Sequence, residues 1–123
     1  MKALLDSNIV IYTLIPEHTA VRNYVKDLSI HVSQVTRVEV LGFSGLALDQ
    51  FKAYELLMAD MIHLAVCKRV IDSAVRLRRL HKMSLGDALI AATALVHGLT
   101  LITRNARDFQ WIPRLHMVNP FVD

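Results

Sequence analysis

Five short apolar runs separated by stretches of helical spacing divide this chain into alternating strands and helices. Lys2 to Asp6 (KALLD) is an apolar run that ends in a carboxylate, which reads as a buried strand. The helix NIVIYTLI follows, opened by Ser7 or Asn8 and stopped by Pro16. From Glu17 to Leu28, Val21, Tyr24, Val25 and Leu28 share one helical face. Ile30 to Gln34 is the second strand, and Thr36 opens a helix that runs through Phe43. A Leu- and Met-rich helix spans Asp49 to Met61, ahead of a third short strand from His63 to Val66. Cys67 to Lys82 is helical, and Leu85 to His97 forms a nearly all-apolar helix closed by Gly98. Leu99 to Thr103 (LTLIT) is a buried strand, and Leu115 to Val118 is an edge strand ahead of Pro120. This alternation predicts an α/β fold in three layers (α/β/α) with a central, mostly parallel sheet. No linker or repeat interrupts it, so residues 1–123 read as a single domain.

Composition changes the picture in one respect. A hydrophobic share of 54% and a mean hydropathy of +0.37 imply a sheet buried on both faces or an apolar surface held against a partner. A membrane span is not expected. The uncharged stretch from Ala88 to Thr103 is broken by Thr93, His97, Gly98 and Thr100, and falls short of the roughly 20 apolar residues required. Asp6 interrupts what would be the apolar part of a secretion signal, so a cytoplasmic location is expected. A single cysteine, Cys67, excludes an internal disulfide and a thiolate metal cage. The six histidines show no zinc-binding spacing. A net charge of +3 is a mild bias, compatible with a polyanionic substrate.

The chemistry lies in the acids. Asp6 in LLDSN, Glu39 in TRVEVLGF, Asp87 in SLGDALIAATAL and Asp108 in TRNARDF come from four separate segments. In an open parallel sheet such groups collect at the carboxyl ends of the strands. Carboxylates gathered there repel one another and resist burial, and a divalent cation is the usual compensator. Hard oxygen donors of this kind suit Mg²⁺ or Mn²⁺, which points to a metal-dependent hydrolase acting on phosphodiesters. Each acid also has a structural explanation. Thr36-x-x-Glu39 and Ser84-x-x-Asp87 are capping boxes, Asp6 caps its own helix, and Asp108 is a loop residue. The apolar surroundings of Asp6 and Asp87 tip the balance toward a metal site.

The same segments carry a resemblance. LLDSNIVIY, Glu39 within TRVEVLGF, SLGDALIAATAL and LITRNARDF resemble, in order and over nearly the whole length, the PIN-domain ribonucleases of the VapC type. Those are the toxins of type II toxin–antitoxin pairs. The resemblance implies a Mg²⁺-dependent endoribonuclease, with Mn²⁺ as a substitute. It assigns Asp6, Glu39 and Asp87 to the metal site, with Asp108 as the fourth acid and Asn105 as its neutral neighbour and competitor. Asp6 and Asp87 are then direct ligands, and Glu39 acts through water or takes the nucleophile's proton. Ser7, Asn8 and Thr103 support the ligands by hydrogen bonds. Such a reaction has no need of the 2′-hydroxyl, so the expectation of RNA rests on the resemblance.

The resemblance also implies a homodimer and a cognate protein antitoxin lying along the helices beside the site. Among the basic residues, Arg104 and Arg107 are the candidates to guide a phosphate, whereas Arg69, Arg76 and Arg79 read as a solvated face. Few aromatics accompany these charges, so base stacking has little support in the sequence. Two other readings stay open. One is a catalytically inert PIN-like module that binds protein or RNA. The other is a phosphatase with a nucleophilic aspartate, against which stands the lack of a second Asp two residues after Asp6.

Overall fold

The computed structural model describes residues 1–121. Its elements run β1 (Lys2–Leu5), α1 (Ser7–Thr13), α2 (Thr19–Val25), β2 (Ser29–Ser33), α3 (Gln34–Leu41) and α4 (Leu48–Ala59). They continue with β3 (Ile62–Leu64), α5 (Lys68–Leu80), α6 (Leu85–His97), β4 (Thr100–Ile102), α7 (Ala106–Phe109) and β5 (Met117–Val118). The five strands form one sheet in the order β3-β2-β1-β4-β5, and every pairing is parallel. The sheet is thus entirely rather than mostly parallel.

The period-two alternation of the strands sorts the core. Ala3 and Leu5 of β1 join Ile102 of β4 beneath α1, α2 and α4, where Ile9, Val21 and Met58 are buried. Leu4 and Leu101 face the other way, onto α5, α6 and α7, with Ala74, Ile90 and Phe109. Both faces of the sheet are covered, which is why β1 and β4 read as continuous apolar runs.

The connections out of the two central strands set the site. β1 leads through α1 and α2 to β2 on one side, while β4 leads through α7 to β5 on the other. The chain therefore splays apart above the carboxyl ends of β1 and β4, the position where open parallel sheets form their crevice. The Asp6 amide donates to the Ile102 carbonyl at 3.0 Å, which fixes the first residue beyond β1 against β4.

Three local readings change. α3 begins at Gln34, two residues before Thr36, because the buried Ser33 hydroxyl caps it by accepting from the Val35 amide at 3.1 Å. Pro16 heads a 3-10 turn (Pro16–His18) rather than only stopping α1, so the helix after it is shorter than expected. The single-turn helix α7 stands where a loop was expected. Gly98 closes α6 as expected, at a positive φ of 62° that a side chain disfavours.

Candidate active site

Asp6 follows β1 and has the extended backbone of a helix N-cap. One carboxylate oxygen accepts from the Ser7 amide at 2.8 Å, and the other accepts from the Thr103 hydroxyl at 2.8 Å. Thr103, just past β4, is fully buried, and its hydroxyl oxygen accepts from the Asn105 amide at 3.0 Å. The two central strands thus clamp one carboxylate between them. Asp6 is only 6% exposed, and burial pushes its pKa above the ordinary value of 3.8. The bonds from Thr103 and Ser7 oppose that rise, while the charges of Asp87 and Glu39 add to it.

Glu39 comes from the second turn of α3, one turn later than the sequence implies. With Ser33 as the cap, Thr36 and Glu39 form no capping box. Thr36 is instead fully buried, and its hydroxyl oxygen lies 3.2 Å from that of Ser7. The Ser7 hydroxyl donates to Glu39 at 2.6 Å. The other Glu39 oxygen lies against Gly86, where an added Cβ would stand only 2.7 Å away. Gly86 therefore lets the first turn of α6 come up to the Glu39 carboxylate.

Asp87 lies in that first turn, and its amide donates to the Ser84 hydroxyl oxygen at 3.1 Å, the capping half of the expected box. Burial raises its pKa, the Ser84 hydroxyl lowers it, and the charges of Asp108 and Glu39 raise it again. Asp6 thus feels the charges of Asp87 and Glu39, and Asp87 those of Asp108 and Glu39, so the four acids form a chain of neighbours through Asp6 and Asp87. Neither of these two has a lysine or arginine among the groups that set its pKa. Among the described residues, no three acidic, His or Cys side chains stand close enough together to enclose an ion directly. The donor set is nevertheless hard and anionic, and no ion pair among the described residues involves any of the four acids. It fits a divalent cation that keeps part of its water shell, as Mg²⁺ does.

A cleft of about 610 Å³ opens beside these acids, with Asp87 and Asp108 in its lining. Arg78, Lys82 and Arg107 border it, together with His81 and Trp111. Arg104 turns elsewhere. Its guanidinium lies over the Phe121 ring at 4.2 Å and the Tyr12 ring at 5.4 Å, so the two arginines paired in the sequence reading part company. Asn8 and Asn105 are exposed.

The family model of the PIN domain matches residues 3–115. The chain belongs to the PIN-domain family. Among solved structures, this PIN domain is similar to a chain of a toxin–antitoxin complex from Klebsiella pneumoniae. The two share 29% identity with a TM-score of 0.83, over 99% of this chain and 100% of that one. VapBC-1 from nontypeable Haemophilus influenzae shares 24% identity at a TM-score of 0.82, covering 99% and 100%. VapBC2 from Rickettsia felis, bound to a DNA fragment from its promoter, shares 21% at 0.81, covering 97% and 98%. At those identities the last two speak for the fold alone. Comparison with curated protein sequences gave no match.

Sequence reading passed over four features of this PIN domain. The sequence presents Thr36 as a cap, whereas its burial beside Ser7 depends on where α3 begins. Gly86 precedes Asp87 directly, and a glycine in the first turn of an apolar helix was a visible signal of close approach. Arg78 and Lys82 enter the cleft only because the end of α5 folds back toward α6, where the Arg78 Nε donates to the Met83 carbonyl at 3.2 Å. The pairing of His81 with Trp111 has no local signature at all.

Proposed function

We propose that this PIN domain is a metal-dependent endoribonuclease, the toxin of a toxin–antitoxin pair, in which Asp6, Glu39, Asp87 and Asp108 form the active site. The observation that carries the reading is that Asp6 and Asp87, from separate segments, are each raised by burial and by neighbouring acids, with no cationic side chain among the causes. Asp6 and Asp87 would hold a Mg²⁺ or Mn²⁺ ion, with Glu39 and Asp108 as the further acids of the site. Such a cation supplies charge neutralisation at a phosphate oxygen and a lowered pKa for a nearby water.

The remaining work belongs to the chain. Thr103 and the Ser7 amide favour the ionised form of Asp6 against its burial and hold it in one orientation. The Ser7 hydroxyl orients Glu39, an exposed carboxylate able to accept the proton of an attacking water. Arg107, beside Asp108 on the cleft wall, is placed to pair with a backbone phosphate. Among the described residues no helix is long and apolar enough to cross a membrane, and a cytoplasmic enzyme is proposed. A cognate antitoxin is supported by the toxin–antitoxin complex from Klebsiella pneumoniae. The apolar side chains exposed on α3 and α4, Val38, Leu48 and Leu56, offer surface for that partner or for a second copy of the chain.

Cleavage of a panel of structured and single-stranded RNAs in Mg²⁺, Mn²⁺ or EDTA tests this directly. Metal-dependent cutting that is lost in Asp87→Asn is expected. Wild-type cutting by that variant would remove Asp87 from the site. The wide spacing of the acids favours one rival, an inert PIN-like binding module. Calorimetric titration with Mn²⁺ separates the two, since the inert module predicts no saturable binding.

A further inference from the structure

The cleft beside the acids holds a structure that the proposed chemistry does not use. His81 and Trp111 stack face to face, with ring centroids 4.6 Å apart and planes inclined by only 14°. Trp111 is half-buried and packed against the core, whereas His81 is exposed. The imidazole is fixed in azimuth as well, because its Nδ1 donates to the Lys82 carbonyl at 2.9 Å. One face of the His81 ring therefore rests on a rigid indole, and the other is open.

We infer that His81, backed by Trp111, is a stacking platform for one unpaired base of a single-stranded RNA whose phosphates run along the cleft past Asp87 and Asp108. The inference rests on the nuclease reading and adds to it a means of substrate discrimination. Three observations converge on that occupant. The cleft, about 610 Å³, is within the range of sites that enclose a ligand of nucleotide size. Arg78, Lys82 and Arg107 border it, and among the described residues the ion pairs are Arg37–Glu55 and Lys68–Asp72, so none of these three is held by a carboxylate, and Arg78 donates only its Nε, to the Met83 carbonyl. Free cations beside an open aromatic face are what grooves for single strands combine: charge tracks the backbone, and the ring takes a base of any sequence. A duplex would not satisfy the same surface, because its bases are already stacked on each other.

Trp111 is the only tryptophan, so its emission reports on the platform without a label. The full chain is titrated in EDTA, at low salt, with six-nucleotide oligo(A), oligo(U) and an abasic ribose-phosphate strand. Oligo(A) is expected to change Trp111 emission and to bind more tightly than the abasic strand. His81→Ala should weaken oligo(A) binding between roughly 5- and 150-fold, the range seen when a stacking ring is cut to alanine, and leave the abasic strand unchanged. His81→Phe should restore oligo(A) binding, which neither a charge nor a hydrogen bond from the imidazole would explain.

Equal binding of oligo(A) and the abasic strand overturns the platform, as does an equal loss for both in His81→Ala. Displacement of bound RNA by an acidic peptide of higher affinity would assign the cleft to a protein and also overturn it. Cleavage of a longer RNA in Mg²⁺, run in parallel, keeps the two proposals apart. Metal-dependent cutting with no dependence on His81 sinks the platform alone. Base-dependent binding without any cutting supports the platform and sinks the nuclease.

Discussion

Gly86→Ala tests the geometry of the site with the addition of one methyl group. The new Cβ would stand 2.7 Å from the nearer Glu39 oxygen, and ordinary contact begins at 3.4 Å, so the carboxylate must retreat by 0.7 Å. Glu39 is exposed and its oxygen is the far end of a flexible side chain, so the fold can accommodate the shift. Replacing glycine in a helix by alanine favours the helix by at most about 1 kcal/mol, which amounts to a rise in Tm of roughly 4 °C for a domain of this size. Thermal unfolding should therefore show an unchanged or slightly raised midpoint. Catalysis should respond differently, since the 2.6 Å bond from Ser7 cannot be kept at its present geometry. A displacement approaching 1 Å at a catalytic group lowers rates by up to about 100-fold, so kcat/KM for RNA cleavage should fall between roughly 10- and 100-fold. Against a Glu39→Asp background, whose shorter side chain leaves room, Gly86→Ala should cause little further loss. Wild-type cleavage by Gly86→Ala would refute the reasoning, because it would mean that the position of Glu39 does not matter to the reaction.

Three further outcomes are expected. Asp6 and Asp87 have folded pKa values above 3.8, so the folded chain holds their protons more firmly, and the stability they lend is lost as pH rises through the raised values. In EDTA, Asp6→Asn should therefore gain stability relative to wild type as pH rises from about 4 to 7, measured by urea unfolding; a difference independent of pH would remove the burial argument. Thr103→Val takes away the 2.8 Å bond to a buried carboxylate, which should lower stability by about 1.5–3 kcal/mol and move the acid limb of the pH–rate profile to higher pH. An unmoved acid limb would mean that Asp6 is not the group whose ionisation the reaction needs. Arg107→Ala should weaken RNA binding and reduce its salt slope by about one, whereas Arg104→Ala, held over Phe121 and Tyr12, should leave that slope alone. Equal slopes for the two would restore Arg104 to the substrate path.

The fold was legible because its signals are local. Apolar runs as short as LTLIT, with helices of clear period between them, leave few arrangements other than a parallel sheet covered on both sides. The candidate acids could be singled out for a related reason: Asp6 and Asp87 stand at element boundaries with apolar surroundings, and both are partly or largely buried. What escaped was set by boundaries and by contacts between distant segments. Three residues of difference in the cap of α3, Ser33 in place of Thr36, turn Thr36 from a cap into a buried partner of Ser7 and move Glu39 from the first turn to the second. The cation–π stack of Arg104 joins Tyr12, Arg104 and Phe121 from three parts of the chain, and no spacing rule connects them. For His81 and Trp111, likewise, the meeting depends on how the end of α5 packs against the segment after α7.

The site is built in two parts with different stiffness, and that division bears on how it would take up a cation. Asp6, Ser7 and Thr103 sit on the ends of the two central strands, nearly or fully buried and joined by hydrogen bonds at 2.8 Å. Their geometry is tied directly to the sheet. Glu39, Asp87 and Asp108 project from helices α3, α6 and α7 and are exposed or half-buried, free to adjust by side-chain rotation. A cage already closed would bring these carboxylates into close repulsion, on top of the burial that already raises Asp6 and Asp87. An open arrangement keeps the exposed acids apart, and a bound cation would offset their repulsion. In the proposed site the fixed carboxylate would set where a cation sits, and the adjustable ones would decide how tightly it is held. Substitutions at Asp6 should consequently abolish binding outright, while those at Asp108 should loosen it by degrees.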